Sequence, residues 1–255
     1  MNLVAAERIK LLSTPAPKVL AAAAVIVPVV FAALVAGAAE DPATVTVGVS
    51  QAGFQLGIAP VLALAMASVT TEYRYETIRA TFLAAPARGS VLAAKAAVAG
   101  LVSGAIGLLS AFGALGTAAL MAPEADLALD TGADWRNVAG LAAYYAVAAV
   151  IAVAVGTMVR HTAAALTLLL GYAMFAEGLV SAVPGAGVEI HRWLPFNVGK
   201  QFLIGAPDPA MAPTGPPAPP PSTSVLGPWW ALAYYAAVAL ALLGVAVVTT
   251  KRRDA

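Results

Sequence analysis

Six stretches of this chain, read as residues 19–39, 47–69, 96–121, 137–159, 163–183 and 228–250, run for about twenty residues or more with a single carboxylate, Glu177, among them. A helix rises about 1.5 Å per residue, so about twenty apolar residues cross the ~30 Å hydrocarbon core of a bilayer. Lipid offers the backbone no hydrogen-bond partner, which makes helices the natural form of such runs. A transmembrane barrel would instead show alternating segments of about ten residues. Of the 255 residues 61% are apolar and 11% charged, where soluble domains carry about a quarter charged. The expected fold is an all-α integral membrane protein of one domain with six transmembrane helices.

The net charge of +1 hides an asymmetry. If the N-terminus is cytoplasmic and the spans alternate, the inner side receives Arg8, Lys10, Lys18, Arg74, Arg79, Arg88, Lys95, Arg160, Lys251, Arg252 and Arg253. The outer side receives Arg136, Arg192 and Lys200. Lys and Arg set orientation, so both termini are expected in the cytoplasm. Trp135, Trp193, Trp229 and Trp230 all fall at outer boundaries, as interfacial anchors do. Residues 1–39 also have a basic start and Ala36-Gly37-Ala38, the pattern of a cleavable signal, but the apolar run exceeds the 7–15 residues of such a signal. With zero cysteines, neither a disulfide nor a thiolate ligand is available.

Between spans two and three, residues 70–90 carry Glu72, Arg74, Glu76, Arg79 and Arg88. Read as one helix, they place Thr71, Tyr75, Ile78 and Phe82 on one stripe and Glu72, Glu76 and Arg79 on another, until Pro86 and Gly89 break it. Such a helix suits two uses, resting on headgroups or docking a cytoplasmic partner. Walker, H-E-x-x-H and G-x-S-x-G motifs are missing from the sequence. His161 and His191 are expected on opposite sides of the membrane, which separates them as metal ligands. Lys95, near the inner end of span three, is read as snorkelling to the interface, with a Ser-Lys hydrolytic dyad as the alternative.

Within the membrane, Glu177 is either a group that attracts a cationic substrate or stabilises a polar pore wall, or one close enough to the outer interface to reach water, beside Trp193 or His191. Gln51 and Gln55 share a face of span two and are candidates for a substrate path or for bundle contacts. Gly53 and Gly57, with Gly100 and Gly104 in span three, suit close helix packing. The outer segment 184–227 is long for a connection. Its first part holds Trp193-Leu194-Pro195-Phe196, too short to span and suited to a re-entrant element. Its second part, Pro207 to Ser222, has eight prolines in sixteen residues and reads as an extended spacer. Residues 2–13 are compatible with a helix before Pro15, without a clean separation of polar and apolar faces.

The order Glu72-Tyr73-Arg74, Thr77-Ile78-Arg79, Leu83, Pro86, Arg88-Gly89 and Lys95, followed by Arg192-Trp193-Leu194-Pro195-Phe196 in the last outer loop, resembles the permeases of the ATP-binding-cassette type-2 family. That resemblance implies an exporter-type membrane subunit in the plasma membrane, the inner membrane of a bacterium, acting with a second permease copy. ATP and Mg would sit on two copies of a separate cytoplasmic ATPase, with no cofactor, no nucleic acid and no catalysis on this chain. It assigns ATPase coupling to Glu72, Tyr73, Arg74, Glu76, Thr77 and Arg79 in a coupling helix. It gives Trp193, Leu194, Pro195 and Phe196 to an outer gate, and residues 1–18 to an elbow segment. Gln51, Gln55 and Glu177 remain the candidate pathway of an amphipathic, drug-like or lipid-like substrate. An ion-coupled carrier and a non-transporting scaffold are the alternatives.

Overall fold

A computed structural model describes residues 3–78, 81, 88–205 and 222–253, without the side chains of Leu12, Arg88 and Arg253. Every regular element among them is helical. They are α1 (Leu3–Ser13), α2 (Pro15–Gly37), α3 (Val47–Ser50), α4 (Phe54–Arg74), α5 (Arg88–Met121), α6 (Gly132–Ala139), α7 (Leu141–Val159), α8 (Thr162–Ser181), α9 (Gly187–His191), α10 (Pro195–Ile204) and α11 (Pro228–Arg253). Six are long and apolar enough to cross a membrane: α2, α4, α5, α6 with α7, α8 and α11. They are numbered below as spans one to six.

Span four lies at the centre. Its α7 packs on α4, α5, α8 and α11, burying Tyr144, Tyr145, Ala148, Ala149, Ala152 and Val153. The alanines let the neighbours come close, and glycines on the facing helix do the rest. A Cβ at Gly107 would stand 2.8 Å from the Leu141 carbonyl, and one at Gly104 3.3 Å from that of Ala142. A Cβ at Gly53 would meet Pro28 Cα at 2.8 Å. Gly57 faces the Tyr145 hydroxyl, the Pro28 ring and the Ala24 carbonyl, the carbonyl that Pro28 leaves without its helical donor. The expected packing role of these glycines therefore holds, since lipid supplies no hydrophobic drive between helices and close contact must replace it. Spans one, five and six keep most of their surface exposed, including Leu34, Leu168, Phe175 and Leu240.

Three expected boundaries change. Span two is interrupted at Gln51–Gly53, so 47–69 is a short α3, a turn and then α4, which runs on to Arg74. Thr46 caps α3 by accepting from Val49 N at 3.3 Å, and the Phe54 N–H donates to the Gln51 carbonyl at 3.0 Å across the turn. Span three is already helical at Arg88, where the described residues resume, two turns before the expected 96, and Lys95 lies inside the bundle. The single helix expected through 70–86 is broken: α4 ends at Arg74 with Tyr75 as its C-cap, the chain is helical again at Thr77 and Ile78, and between them Glu76 takes a left-handed backbone at φ 57°. That conformation costs a non-glycine residue about 1–2 kcal/mol and turns the chain beyond it off the stripes read from the sequence. Arg79, Phe82 and the proline-rich 207–221 lie outside the described residues.

Candidate functional site

Two polar clusters stand at opposite ends of the bundle. The first joins α1 to the last turn of α4 and the first turns of α5. The Lys95 side chain is 0% exposed, and its Nζ donates to Glu7 Oε2 at 2.6 Å and Glu72 Oε1 at 2.8 Å. A third bond goes to the Ser68 carbonyl at 3.3 Å. Lys10 Nζ completes a quartet, donating to Glu72 Oε1 at 2.9 Å, to Glu7 Oε1 at 3.2 Å and to Thr81 Oγ1 at 3.4 Å. Burial acts to lower the Lys10 ammonium's pKa, but the Glu72 and Glu7 carboxylates outweigh it and the net shift is upward. Two lysines and two carboxylates cancel, which makes burial tolerable, since an unpaired charge there would carry a penalty of several kcal/mol, about 3–5 when one partner is removed.

This arrangement corrects the snorkelling expected of Lys95: its ammonium turns inward to two carboxylates. A Ser-Lys dyad has no basis either, because all three ammonium protons have partners at that site. Glu72, expected at the docking face, is 9% exposed in its side chain and is shared by both lysines. Glu7 and Lys10 were not singled out from the sequence. Their spacing of three was visible, but a partner 62 and 88 residues away was not.

The rest of the expected coupling group divides. Tyr73 lies under the Arg160 guanidinium, 4.8 Å from the ring centroid. Thr162, at the start of α8, donates to Thr70 Oγ1 at 2.9 Å. The turn between spans four and five thus braces the exit of span two. Arg74, Tyr75, Glu76 and Thr77 are exposed, with the Arg74 guanidinium over the Tyr75 ring at 5.6 Å. Tyr75, 67% exposed, is the most prominent apolar group of this turn.

At the other end, α10 starts with Leu194 as N-cap, a residue with no side-chain acceptor, and Pro195 at its first position. The N–H groups of the next two residues are the ones an N-cap side chain would normally satisfy. Glu177, from span five, takes that place, accepting from Phe196 N at 3.0 Å and Asn197 N at 2.7 Å. Its carboxylate is aimed there because Tyr172–Ala176 form a π turn, closed by the Glu177 N–H on the Tyr172 carbonyl. Glu177 is 3% exposed, so of the two readings open for it, access to water at the interface is not what the geometry gives.

Asn197 extends the cluster. Its Nδ2 donates to the His191 carbonyl at 2.8 Å and to Thr223 Oγ1 at 3.1 Å, while its Oδ1 accepts from Ser222 Oγ at 3.2 Å. The Ser222 hydroxyl also donates to the Asn197 carbonyl at 2.8 Å, and His191 Nδ1 lies 2.6 Å from Thr223 Oγ1. Burial lowers the pKa of the His191 imidazole, and the charge of Lys200 adds to this. Asn197, Ser222 and Thr223 escaped the sequence reading, since single small polar residues beside a proline-rich run carry no periodic signal. His161, by contrast, sits at the opposite end of span five, where its Nδ1 accepts from Ala164 N at 3.2 Å. The histidines do not meet, and no metal-binding cluster exists among the described residues.

Of the expected outer gate, Phe196 is buried between Tyr172 and Tyr235, with ring centroids 6.1 and 5.8 Å away. Leu194 and Pro195 start α10, and Trp193 remains half exposed, its carbonyl accepting from the Tyr234 hydroxyl at 2.9 Å. Gln51 is buried and donates to the Ala111 carbonyl at 3.1 Å and Ser50 Oγ at 3.0 Å, which ties the broken start of span two to span three. Gln55 begins a separate helix and does not share a regular face with it. Asn137, near Gln51 across a space of about 10 Å³, donates to the Leu203 carbonyl at 3.3 Å. Comparison of the chain with protein-family models, with curated proteins and with solved structures gives no match.

Proposed function

We propose that this chain is the membrane subunit of an ATP-driven exporter, with its termini and the Lys95 quartet on the cytoplasmic side and Glu177 towards the outside. The reading takes its orientation from eleven of fourteen Lys and Arg residues lying on one side of six alternating spans. The observation that carries it is the exit of span two. A membrane-surface helix would lay one apolar face on lipid. Here Tyr75 and the left-handed Glu76 form an exposed turn between the end of α4 at Arg74 and a helix that resumes at Thr77. Behind it is a charge-neutral brace in which Glu7, Glu72 and Lys95 are buried and Lys10 is half exposed. A projecting polar turn on a rigid base suits contact with a protein that moves.

The docking surface then consists of Arg74, Tyr75, Glu76 and Thr77, with Arg79 added from the sequence, while Glu72 and Tyr73 stand behind it. ATP binding would close two ATPase copies, and the contact transmits force only if the ATPase binds one conformation better than another. α9 and α10 would form the outer gate beside a second permease copy, dipping into the outer leaflet with Glu177 satisfying the backbone there. The cargo class is amphipathic. An ion-coupled carrier loses support because its one intramembrane carboxylate already serves two backbone donors.

The test is co-purification of the tagged chain from its own cells in mild detergent, followed by mass spectrometry. A stoichiometric ATPase that is lost on Glu76→Lys or Arg74→Glu, with the chain still folded, is the expected result. Recovery of the chain alone under several mild conditions would sink the ATP-driven reading in favour of an ion-coupled carrier or a scaffold.

A further inference from the structure

The quartet sits directly behind the exposed 74–77 turn and draws its charges from three separate elements: Glu7 and Lys10 from α1, Glu72 from α4, Lys95 from α5. Lys95 is the member that holds it together. It bonds a carboxylate on each of the other two elements and the Ser68 carbonyl one turn before Glu72, with no exposed surface. Withdrawing α4 or α5 strands a buried charge, while withdrawing α1 breaks the Lys95–Glu7 and Lys10–Glu72 pairs and leaves Lys95 and Glu72 to each other. α1 has no clean apolar stripe of its own to bury, and its docking therefore depends on these bonds more than on lipid contact.

We propose that Lys95 is a positioning residue that fastens α1, the exit of span two and the base of span three into one rigid body. A displacement delivered at Arg74–Thr77 then moves α1 and span three together instead of bending the end of span two. The transmission half of this inference rests on the reading of 74–77 as a docking turn; the fastening itself does not.

The chain is free of cysteine, so paired spin labels can be placed without removing native residues. In the full chain in nanodiscs, labels at Arg8→Cys and Ala93→Cys are expected to give one narrow distance. Lys95→Met should broaden it and raise tryptic cleavage within α1 at least tenfold. Glu7→Gln, a milder change that weakens the bond of α1 to Lys95 and leaves Lys10 on Glu72, should raise cleavage by a smaller factor. The neutral quadruple variant Glu7→Leu, Lys10→Met, Glu72→Leu and Lys95→Met should restore the narrow distance, because an apolar cluster of similar volume replaces a buried ionic one without penalty. An unchanged distance and cleavage rate in both Lys95→Met and Glu7→Gln would overturn the fastening.

The second arm uses the complex with the co-purifying ATPase and labels at Thr71→Cys and Ala93→Cys, both exposed and outside the docking surface, with and without ATP and vanadate. The distance is expected to stay constant in otherwise native chain and to change with nucleotide in Lys95→Met. A nucleotide-dependent distance in the native chain would overturn the transmission. Failure of any ATPase to bind would overturn the docking reading, and transmission with it, while the first pair of labels still decides the fastening.

Discussion

Replacing Glu177 by alanine removes both acceptors from the start of α10. The Phe196 and Asn197 N–H groups, bonded at 3.0 and 2.7 Å, are left at the second and third helical positions behind an N-cap that has no acceptor. A hydrogen bond to a charged group contributes about 1.5–3 kcal/mol, so two give about 3–6 kcal/mol before relaxation. Entry of a water into the vacated space recovers part of this, leaving about 3–4 kcal/mol. At 1.4 kcal/mol per tenfold, local opening of α10 becomes about two to three orders of magnitude more frequent. Hydrogen exchange by mass spectrometry on the peptide spanning 194–204 reads this directly, with the lower half of span three as internal control. Glu177→Gln keeps one carbonyl but turns an amide N–H₂ towards a backbone donor, so it should exchange faster than native and slower than the alanine variant. Native protection of 194–204 in Glu177→Ala would refute the capping role and return Glu177 to a place in the transport path, where its substitution would alter movement of cations more than of neutral compounds.

Contacts elsewhere set four further outcomes. Gly57→Ala drives a methyl into the Tyr145 hydroxyl and the Pro28 ring and should cost about 1–3 kcal/mol, seen as a lower melting temperature. Gly116→Ala, where a Cβ meets nothing within 4 Å, should be neutral or slightly stabilising in the same assay. Tyr145→Phe removes the 2.7 Å bond to the Phe54 carbonyl and should cost about 0.5–1.5 kcal/mol, again read by melting, unless span two is held by its glycine contacts alone. Because the pKa of His191 lies below its ordinary value of 6.5, the folded state binds that proton less readily than the unfolded chain. Its contribution is present above pH 6.5 and falls as acid is added. The melting temperature should therefore drop between about pH 7 and 5, and His191→Gln should flatten that slope.

Six helical spans were legible because each apolar run satisfies its backbone only by coiling on itself, a local requirement. The glycine contacts were legible for a similar reason: a small residue in lipid has few uses besides close approach. The breaks were harder. Gln51–Gly53 continue the apolar run without a proline, and only the meeting of Gln51 with the Ala111 carbonyl, 60 residues on, marks the turn. The left-handed Glu76 leaves no composition signal. Lys95 looked like an interfacial cation because its position along the chain is that of one, and its true neighbours come from α1 and α4. Glu177 was conspicuous as a charge in an apolar run, whereas its partners, two N–H groups on α10, belong to the backbone and have no letter in the sequence.

The π turn ahead of Glu177 has a consequence for how this chain tolerates length changes. On a regular α-helix, residues five apart lie about 140° away from each other around the axis. Here Tyr172 and Glu177 close one hydrogen-bonded ring, so the segment behaves as a helix holding one residue more than its turns need. Deleting any single residue from Tyr172–Ala176 would let the span regularise into uninterrupted α-helix at little cost to insertion. Everything after the deletion would then face the bundle as it does now, Glu177 included, because only the surplus residue is lost. A one-residue deletion within Tyr172–Ala176 would thus be silent both for membrane integration and for the helix that Glu177 caps, whereas adding a residue there would swing Glu177 about 100° around the axis.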